Sequence, residues 1–204
     1  MKIGRLFIIT AASGAGKTSL VKALVKQNKN LFVSVSFTTR QPRKSEENGK
    51  DYWFVSQEKF NEMQLNDKFL ETAECHGAHY GTSKEVLAKN LEEGHDVILE
   101  IDWQGAFSVK KIFSNAISIF ILPPSMDVLT QRLKNRNEDS DDVIKKRLAA
   151  ARGEMAHLEK FDYVTINDDF ETTLKELEAI IKAENLKTSI QFARYKSVIE
   201  KLRN

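Results

Sequence analysis

The sequence predicts an α/β fold, with a mainly parallel core sheet covered by helices and a small insert that has a sheet of its own. Short apolar runs rich in β-favouring residues alternate with segments of helical spacing along most of the chain, which is typical of parallel sheets. A glycine-rich turn links the first strand pattern to the first helical pattern. The polar stretch 38–51 breaks the alternation, and Pro42 and Asn48-Gly49 mark turns in it.

The individual elements are predicted from their patterns in chain order. Continuous apolar runs, as expected for strands buried on both faces, cover 5–10, 31–36, 97–101, 117–122 and 163–166. Helical spacing covers 17–28, 104–113 and 127–135, and two further amphipathic helices cover the chain from 171 onward. Within the insert, the pattern predicts a strand at 52–55, a helix at 57–65 and a strand at 69–73. The charged stretch 134–142 is predicted to form a hairpin between two helices.

The composition indicates one globular unit without a bias toward polyanionic partners. The chain has 204 residues, of which 41% are hydrophobic and 29% charged, and a formal net charge of +2. Nothing in this balance demands nucleic acid or an anionic membrane as a partner. The single cysteine, Cys75, cannot form an internal disulfide, so a reducing, cytoplasmic location is expected. The apolar run near the N-terminus is too short to span a bilayer, and we interpret it as a buried strand.

The glycine-rich turn is the most specific motif in the chain. Its residues are Ala11, Ala12, Ser13, Gly14, Ala15, Gly16, Lys17 and Thr18. Such a loop wraps polyphosphate with consecutive backbone N–H groups at the start of a helix, and small side chains permit that approach. Lys17 is expected to reach the β- and γ-phosphates and the Thr18 hydroxyl to coordinate Mg²⁺, so the motif predicts binding of a nucleoside triphosphate. The usual pattern begins with glycine, and Ala11 departs from it.

A second candidate phosphate site lies in the insert. Arg40 and Arg43 stand three residues apart in a stretch unsuited to a long helix, and Tyr52 follows with a hydroxyl donor. The planar guanidinium suits phosphate oxygens, and two of them converging on one point would hold a monophosphate dianion. Taken alone, this segment favours solvated arginines on a loop over a phosphate site.

Six motifs beyond the phosphate loop resemble the guanylate kinase family in their order and spacing. They lie at 36–43, 48–55, 80–82, 101–105, 121–125 and 167–169, and the resemblance runs from about residue 4 to about residue 185. The family implies a three-layer phosphate-loop NTPase fold and transfer of the γ-phosphoryl group of ATP to GMP or dGMP with Mg²⁺. It also implies a core (1–35, 86–125 and 159–204), a GMP-binding subdomain with a mixed sheet (36–85) and a helical lid (126–158).

The resemblance further implies which residues form the site. The GMP phosphate would be bound by Arg40, Arg43, Tyr52 and Tyr80, and the guanine would be faced by Ser36, Glu71, Thr82 and Asp102. The transferring phosphoryl group would be contacted by Lys17, Arg40, Arg132, Arg136 and Arg147, and Asn167 would lie near the adenine of ATP. These residue types suit the chemistry. One carboxylate can accept both the N1–H and the exocyclic NH₂ of guanine, while a hydroxyl can donate to O6.

Three positions depart from the commoner family pattern, and several alternatives stay open. Glu100 stands in place of an aspartate, His79 in place of a tyrosine and Asn137 in place of a glycine. The main alternative is a guanylate-kinase-like module that binds protein ligands, which the complete phosphate loop disfavours. A second is a kinase of another monophosphate, and a signalling GTPase is disfavoured because no N-K-x-D motif follows the loop. The last amphipathic helix is compatible with a homo-oligomer.

Overall fold

A computed structural model describes residues 4–44, 46–75, 77–135 and 140–203. The strands are β1 (Leu6–Ala11), β2 (Leu31–Val33), β3 (Phe37–Thr38), β4 (Trp53–Phe54), β5 (Phe69–Cys75), β6 (Ala78–Ser83), β7 (Asp96–Glu100), β8 (Ile117–Leu122) and β9 (Tyr163–Ile166). The helices are α1 (Lys17–Gln27), α2 (Gln57–Leu65), α3 (Lys84–Glu92), α4 (Trp103–Ile112), α5 (Met126–Asn135), α6 (Asp141–Met155), α7 (Phe170–Asn185), α8 (Thr188–Arg194) and α9 (Lys196–Arg203). Along these described ranges, no helix is long and apolar enough to cross a membrane.

The central sheet has five parallel strands in the order β2-β7-β1-β8-β9. Alternate residues of β1 point to opposite faces, and both faces are covered. Phe7 and Ile9 pack with α1 and α7, whereas Leu6 and Ile8 pack with α3 and α4. Burial on both faces explains why the inner strands β7, β1 and β8 read as apolar runs. The predicted three-layer α/β architecture is confirmed.

The insert forms a second sheet of four strands in the order β4-β3-β6-β5. It is mixed, because β3 pairs in parallel with β4 and antiparallel with β6, and β5 and β6 are antiparallel. Helix α2 is attached to it by Phe60, whose ring stacks on Phe69 with centroids 4.6 Å apart. The predicted separate mixed sheet is confirmed, and the prediction missed β3, β6 and α3.

Helices α5 and α6 pack against the phosphate loop. Leu129 and Leu133 of α5 form an apolar cluster with Ala12 and Ala15 of the loop, to which Ala151 of α6 also belongs. Helix α6 begins at Asp141, inside the stretch predicted as a hairpin, and residues 136–139 of that stretch lie outside the described residues.

The C-terminal segment differs from the single second helix that the sequence predicts. The chain leaves the helical conformation at Tyr195, which separates α8 from α9. Neither helix contains a buried residue, so no packed face holds the two in one line. The preceding helix α7 is anchored instead by Glu184, which accepts hydrogen bonds from Arg5 at 2.9 Å and from the Tyr163 hydroxyl at 2.6 Å.

Candidate active site

The phosphate loop lies between β1 and α1, at the carboxyl end of the parallel strands, where open α/β sheets bind ligands. Gly14 and Gly16 have φ values of 97° and 98°, a left-handed conformation that glycine adopts without a steric penalty. A Cβ atom at Gly16 would lie 2.4 Å from Nδ2 of Asn167. Nδ2 of Asn167 donates a 2.7 Å hydrogen bond to the carbonyl of Ala15. The absence of a side chain at Gly16 therefore lets Asn167 come close enough to hold the loop backbone.

The departure at Ala11 has a structural explanation. Ala11 is the last residue of β1 and pairs with Ile121 of β8. Across the described ranges, the one non-glycine residue with a positive φ is Asp67. Ala11 therefore has ordinary strand geometry, and the loop does not require glycine at this position.

Lys17 and Thr18 begin α1 and face the end of β7. Nζ of Lys17 donates to the carbonyl of Ile101 at 3.3 Å, and the Thr18 hydroxyl donates to the Glu100 carboxylate. Hydroxyl and carboxylate oxygens are the ligands that Mg²⁺ takes from proteins, usually one or two of them together with nucleotide phosphates. In the described part of the chain no cluster of three or more His, Cys, Asp or Glu residues could hold a metal. The residues present thus fit an ion held mainly by nucleotide oxygens.

The two arginines of the insert are organised by a carboxylate that the sequence analysis did not identify. Glu46 accepts from Nη2 of Arg40 at 2.8 Å and from the backbone N–H of Arg43 at 2.8 Å, and it lies 3.8 Å from the Arg43 guanidinium. Burial opposes ionisation of Glu46, but these hydrogen bonds hold its pKa below the usual range. A charged Glu46 therefore brings both guanidinium groups to one side of the cleft.

Two tyrosines stand beside these arginines. The rings of Tyr52 and Tyr80 meet edge to face with centroids 5.9 Å apart, and the Arg40 guanidinium lies 5.4 Å from the centre of the Tyr52 ring. Burial, reinforced by Glu100 and Tyr80, raises the pKa of Tyr52 well above its usual value. The Tyr52 hydroxyl consequently keeps its proton and is a hydrogen-bond donor.

Glu71 is a buried carboxylate at the inner end of the cleft. Its Oε1 accepts a 2.6 Å hydrogen bond from the Thr82 hydroxyl. Its Oε2 lies where a Cβ atom on Gly105 would approach to 2.8 Å, so the absence of a side chain at Gly105 makes room for it. Burial, together with the nearby Asp102 carboxylate, raises the pKa of Glu71 to about 7. Thr82 is fully buried, and its hydroxyl is directed at Glu71.

Helix α6 contributes one basic and one acidic side chain to the cleft. Arg147 and Glu154 both line it, and seven residues, or two helical turns, separate them on the same side of the helix. Oε2 of Glu154 accepts a hydrogen bond from the backbone N–H of Ser13 in the phosphate loop at 3.3 Å. Burial raises the pKa of Glu154, against the influence of that N–H and of Lys17.

The structure brings most of the predicted site residues to one cleft. The predicted residues that line it are Ala11, Ala12, Ser13, Gly14, Gly16, Lys17, Thr18, Ser36, Arg40, Arg43, Tyr52, Glu71, Tyr80, Asp102 and Arg147. Ala15 and Thr82 are buried behind the lining. Arg132 donates to the carbonyls of Asn167 at 2.9 Å and of Ala15 at 3.4 Å, so both Arg132 and Asn167 lie against the loop outside the cleft lining. Arg136 lies outside the described residues.

Sequence reasoning missed Glu46, Cys75 and Glu154 as parts of the site. Cys75 lines the cleft at the end of β5, and burial raises the pKa of its thiol. Glu154 had a usable signal, since it lies two turns from Arg147 on a predicted lid segment. Glu46 stood in a polar stretch where any of several carboxylates was an equal candidate.

Comparisons with known proteins agree on one family. A family model described as guanylate kinase matches residues 3–184. The guanylate kinase of Methylobacillus flagellatus is 56% identical over 199 residues, covering 98% of both chains. That of Escherichia coli K12 is 49% identical over 204 residues, covering 99% of both. The crystal structure of guanylate kinase from Anaplasma phagocytophilum superposes with a TM-score of 0.77 at 33% identity, covering 96% of this chain and 97% of the other.

Proposed function

This chain belongs to the guanylate kinase family and phosphorylates GMP with ATP, and we propose that the cleft between the phosphate loop and the insert is its active site. The observation that carries the assignment is that Lys17, Arg40 and Glu71, from three separate parts of the sequence, line one cleft. ATP would occupy the loop, and GMP or dGMP would occupy the insert. The chain would work in the cytoplasm, in keeping with its single cysteine.

The ATP end of the cleft is assigned to the phosphate loop. Its N–H groups and the dipole of α1 attract the phosphates, and Lys17 would contact the β- and γ-phosphates. Thr18 and Glu100 would hold Mg²⁺, which when bound supplies charge neutralisation of the phosphates. Asn167 would serve ATP through the loop, because its amide already supports the Ala15 carbonyl.

The monophosphate end is assigned to Arg40, Arg43, Tyr52 and Tyr80. Two guanidinium groups and two phenolic hydroxyls offer planar, charge-assisted donors to a phosphate dianion. Glu46 would hold the two arginines in position before GMP binds, since it contacts both of them.

The guanine end is assigned to Glu71, Ser36, Thr82 and Asp102. A Glu71 carboxylate oriented by Thr82 would accept from N1–H and the exocyclic NH₂, and the Ser36 hydroxyl would donate to O6. Adenine lacks N1–H and has an amino group in place of O6, so it would leave buried polar groups unpaired. Asp102 caps α4 by accepting a hydrogen bond from the N–H of Gly105 at 2.8 Å. This bond fixes the start of α4 beside Glu71.

The chain is divided, in this proposal, into a core (1–35, 86–125 and 159–204), a GMP-binding subdomain (36–85) and a lid (126–158). The separate second sheet and the position of α5 and α6 on the phosphate loop support the division. Arg132, Arg136 and Arg147 of the lid would neutralise the transferring phosphoryl group. Positioning and charge neutralisation then account for most of the catalysis, without a covalent enzyme intermediate.

The test is a panel of nucleoside monophosphates with ATP and Mg²⁺, followed by ADP release. GMP should be phosphorylated and dGMP less well, while kcat/KM for AMP, CMP and UMP should be lower by at least about 100-fold. Comparable values for AMP and GMP would contradict the assignment of the guanine pocket. Turnover of no acceptor would instead favour a protein-binding module.

Sedimentation of the same sample tests self-association, which the exposed apolar residues Val198 and Leu202 of α9 favour.

A further inference from the structure

One acidic side chain in the cleft has no part in the assignments above. Glu154 comes from the last turn of α6, and its carboxylate meets the backbone N–H of Ser13, 3.3 Å away. A phosphate loop is built to attract anions through such N–H groups. A carboxylate here therefore has the charge and the acceptor geometry of a phosphate oxygen.

The surroundings of Glu154 are those of a phosphate site. Lys17 lies close enough to favour the charged form of Glu154, and Arg147 lines the same cleft two turns earlier on α6. The opposing influences are burial and the Asp102 carboxylate, and the pKa of Glu154 is raised on balance. An internal carboxylate thus lies among the cations assigned to the nucleotide.

We infer that Glu154 is a positioning residue that occupies, at the Ser13 N–H, the place of an ATP phosphate oxygen and leaves it when ATP binds. This inference rests on the proposed ATP site. In the empty protein the contact satisfies a loop N–H and holds the end of α6 on the loop, beside the apolar contact of Ala151. A triphosphate brings several negative charges to the same place, and like charges at that distance repel. Arg147 remains on the helix as the side chain that favours the nucleotide.

The exchange has a measurable thermodynamic consequence. If the loop is available to phosphate only when Glu154 has left it, the apparent affinity for ATP is reduced by the available fraction. Removing the carboxylate should therefore tighten binding of the triphosphate. If Glu154 instead stayed in place and supported the nucleotide, removing its carboxylate would weaken binding of the triphosphate.

The experiment measures calorimetric Kd values for the non-hydrolysable analogue adenosine 5′-(β,γ-imido)triphosphate with Mg²⁺, and separately for GMP. Glu154→Gln keeps the side-chain shape without the charge, and Glu154→Ala removes the group. We expect both variants to bind the analogue at least about fivefold more tightly than wild type, with the Kd for GMP changed less than twofold. Glu159→Gln, at an exposed site five residues later, is the matched control and should leave both Kd values unchanged.

A second readout follows the Ser13 amide by ¹⁵N–¹H NMR. Glu154→Gln should shift this amide in the nucleotide-free protein, whereas the wild-type and variant signals should coincide once the analogue is bound. If wild type and variant differ equally in the Ser13 amide signal with and without the analogue, Glu154 remains at the loop and the inference is overturned. Weaker or unchanged binding of the analogue in both variants would also overturn it. If wild type binds no analogue and phosphorylates no GMP, the proposed function fails instead.

Discussion

Lys22 of α1 and Asp51 of the insert form an ion pair with 2.6 Å between Nζ and Oδ1. Asp51 immediately precedes Tyr52, and its other carboxylate oxygen accepts from the N–H of Glu47 at 2.9 Å. The pair therefore joins the helix that begins at the phosphate loop to the segment proposed to bind the GMP phosphate. The pair thus ties the two proposed substrate sites together directly.

Breaking this pair should affect catalysis more than stability. An ion pair with Lys22 63% exposed contributes at most about 1 kcal/mol to the free energy of unfolding. Asp51→Asn should raise KM for GMP by about threefold to tenfold, because Tyr52 loses its fixed position, with little change in the melting temperature. Lys22→Ala should have the same effect, and the double variant should be no worse than either single one. Additive losses would show that the two residues act independently.

Glu71→Gln tests the reading of guanine. The substitution keeps size but places an NH₂ donor against a guanine N–H. Loss of one charge-assisted bond costs about 1.5–3 kcal/mol, or roughly 10-fold to 150-fold in kcat/KM for GMP. Activity with AMP should barely change, since the phosphate contacts survive. A kcat/KM for GMP within about threefold of wild type, in a variant shown to be folded by circular dichroism, would remove Glu71 from base recognition.

The raised pKa of Glu71 predicts a pH dependence of activity. Guanine binding needs Glu71 in its charged form. Because the pKa of Glu71 is about 7, the free protein must release a proton from Glu71 before it binds GMP at lower pH. kcat/KM for GMP should fall by about tenfold per pH unit below that value. The GMP phosphate also titrates, near about pH 6, so the informative quantity is the ratio of wild type to Glu71→Gln. A ratio that stays constant from pH 8 to pH 5 would contradict the shift.

The same shift predicts the sign of a stability change. The pKa of Glu71 is raised from 4.5 to about 7, so the folded chain binds more protons than the unfolded chain within this window. The free energy of unfolding should therefore fall as pH rises from 4.5 to 7 and level off above it, by up to about 3 kcal/mol from this group. Urea unfolding of wild type against Glu71→Gln isolates the contribution, which the variant should lack.

Gly105→Ala should damage the guanine site without damaging the fold. Alanine is favoured in helices, but a Cβ atom at this position would lie 2.8 Å from Oε2 of Glu71. Displacing that carboxylate should lower kcat/KM for GMP by about tenfold or more. Gly153→Ala is the matched control, because nothing lies within 4 Å of its added Cβ. It should keep normal activity and gain about 0.5–1 kcal/mol of stability; equal losses in both variants would point to a general helix effect.

The parts of the fold that sequence could predict are those specified locally. The loop between β1 and α1 is marked by its glycines, and β8 and β9 were predicted with the bounds that they have. Strand β6 (Ala78–Ser83) has few apolar residues and exists because β5 and β3 pair with it on both sides. Strand β5 is its neighbour in the sequence, but β3 is not, since Thr38 pairs with Tyr80, and no short window of sequence contains that second pairing.

The same distinction applies to the site. The phosphate-loop pattern and the resemblance to the guanylate kinase family identified most of the side chains that line the cleft, but not how they depend on one another. Glu46 joins two arginines, and Gly105 makes room for Glu71; both relationships arise only when distant segments meet. Arg132 is proposed to act on the phosphoryl group, and its guanidinium here contacts two backbone carbonyls beside the loop, an arrangement that depends on how α5 packs.

The anchoring of α7 by Glu184 has a practical meaning for protein engineering. Arg5 and Glu184 are nearly buried, at 10% and 2% side-chain exposure, so removing Glu184 would leave the Arg5 guanidinium in the interior without this counter-ion. The two helices that follow bury no residue. Tolerance to insertion and fusion follows burial, so affinity tags, fluorescent fusions or surface linkers belong after Arg203 and not before Leu6.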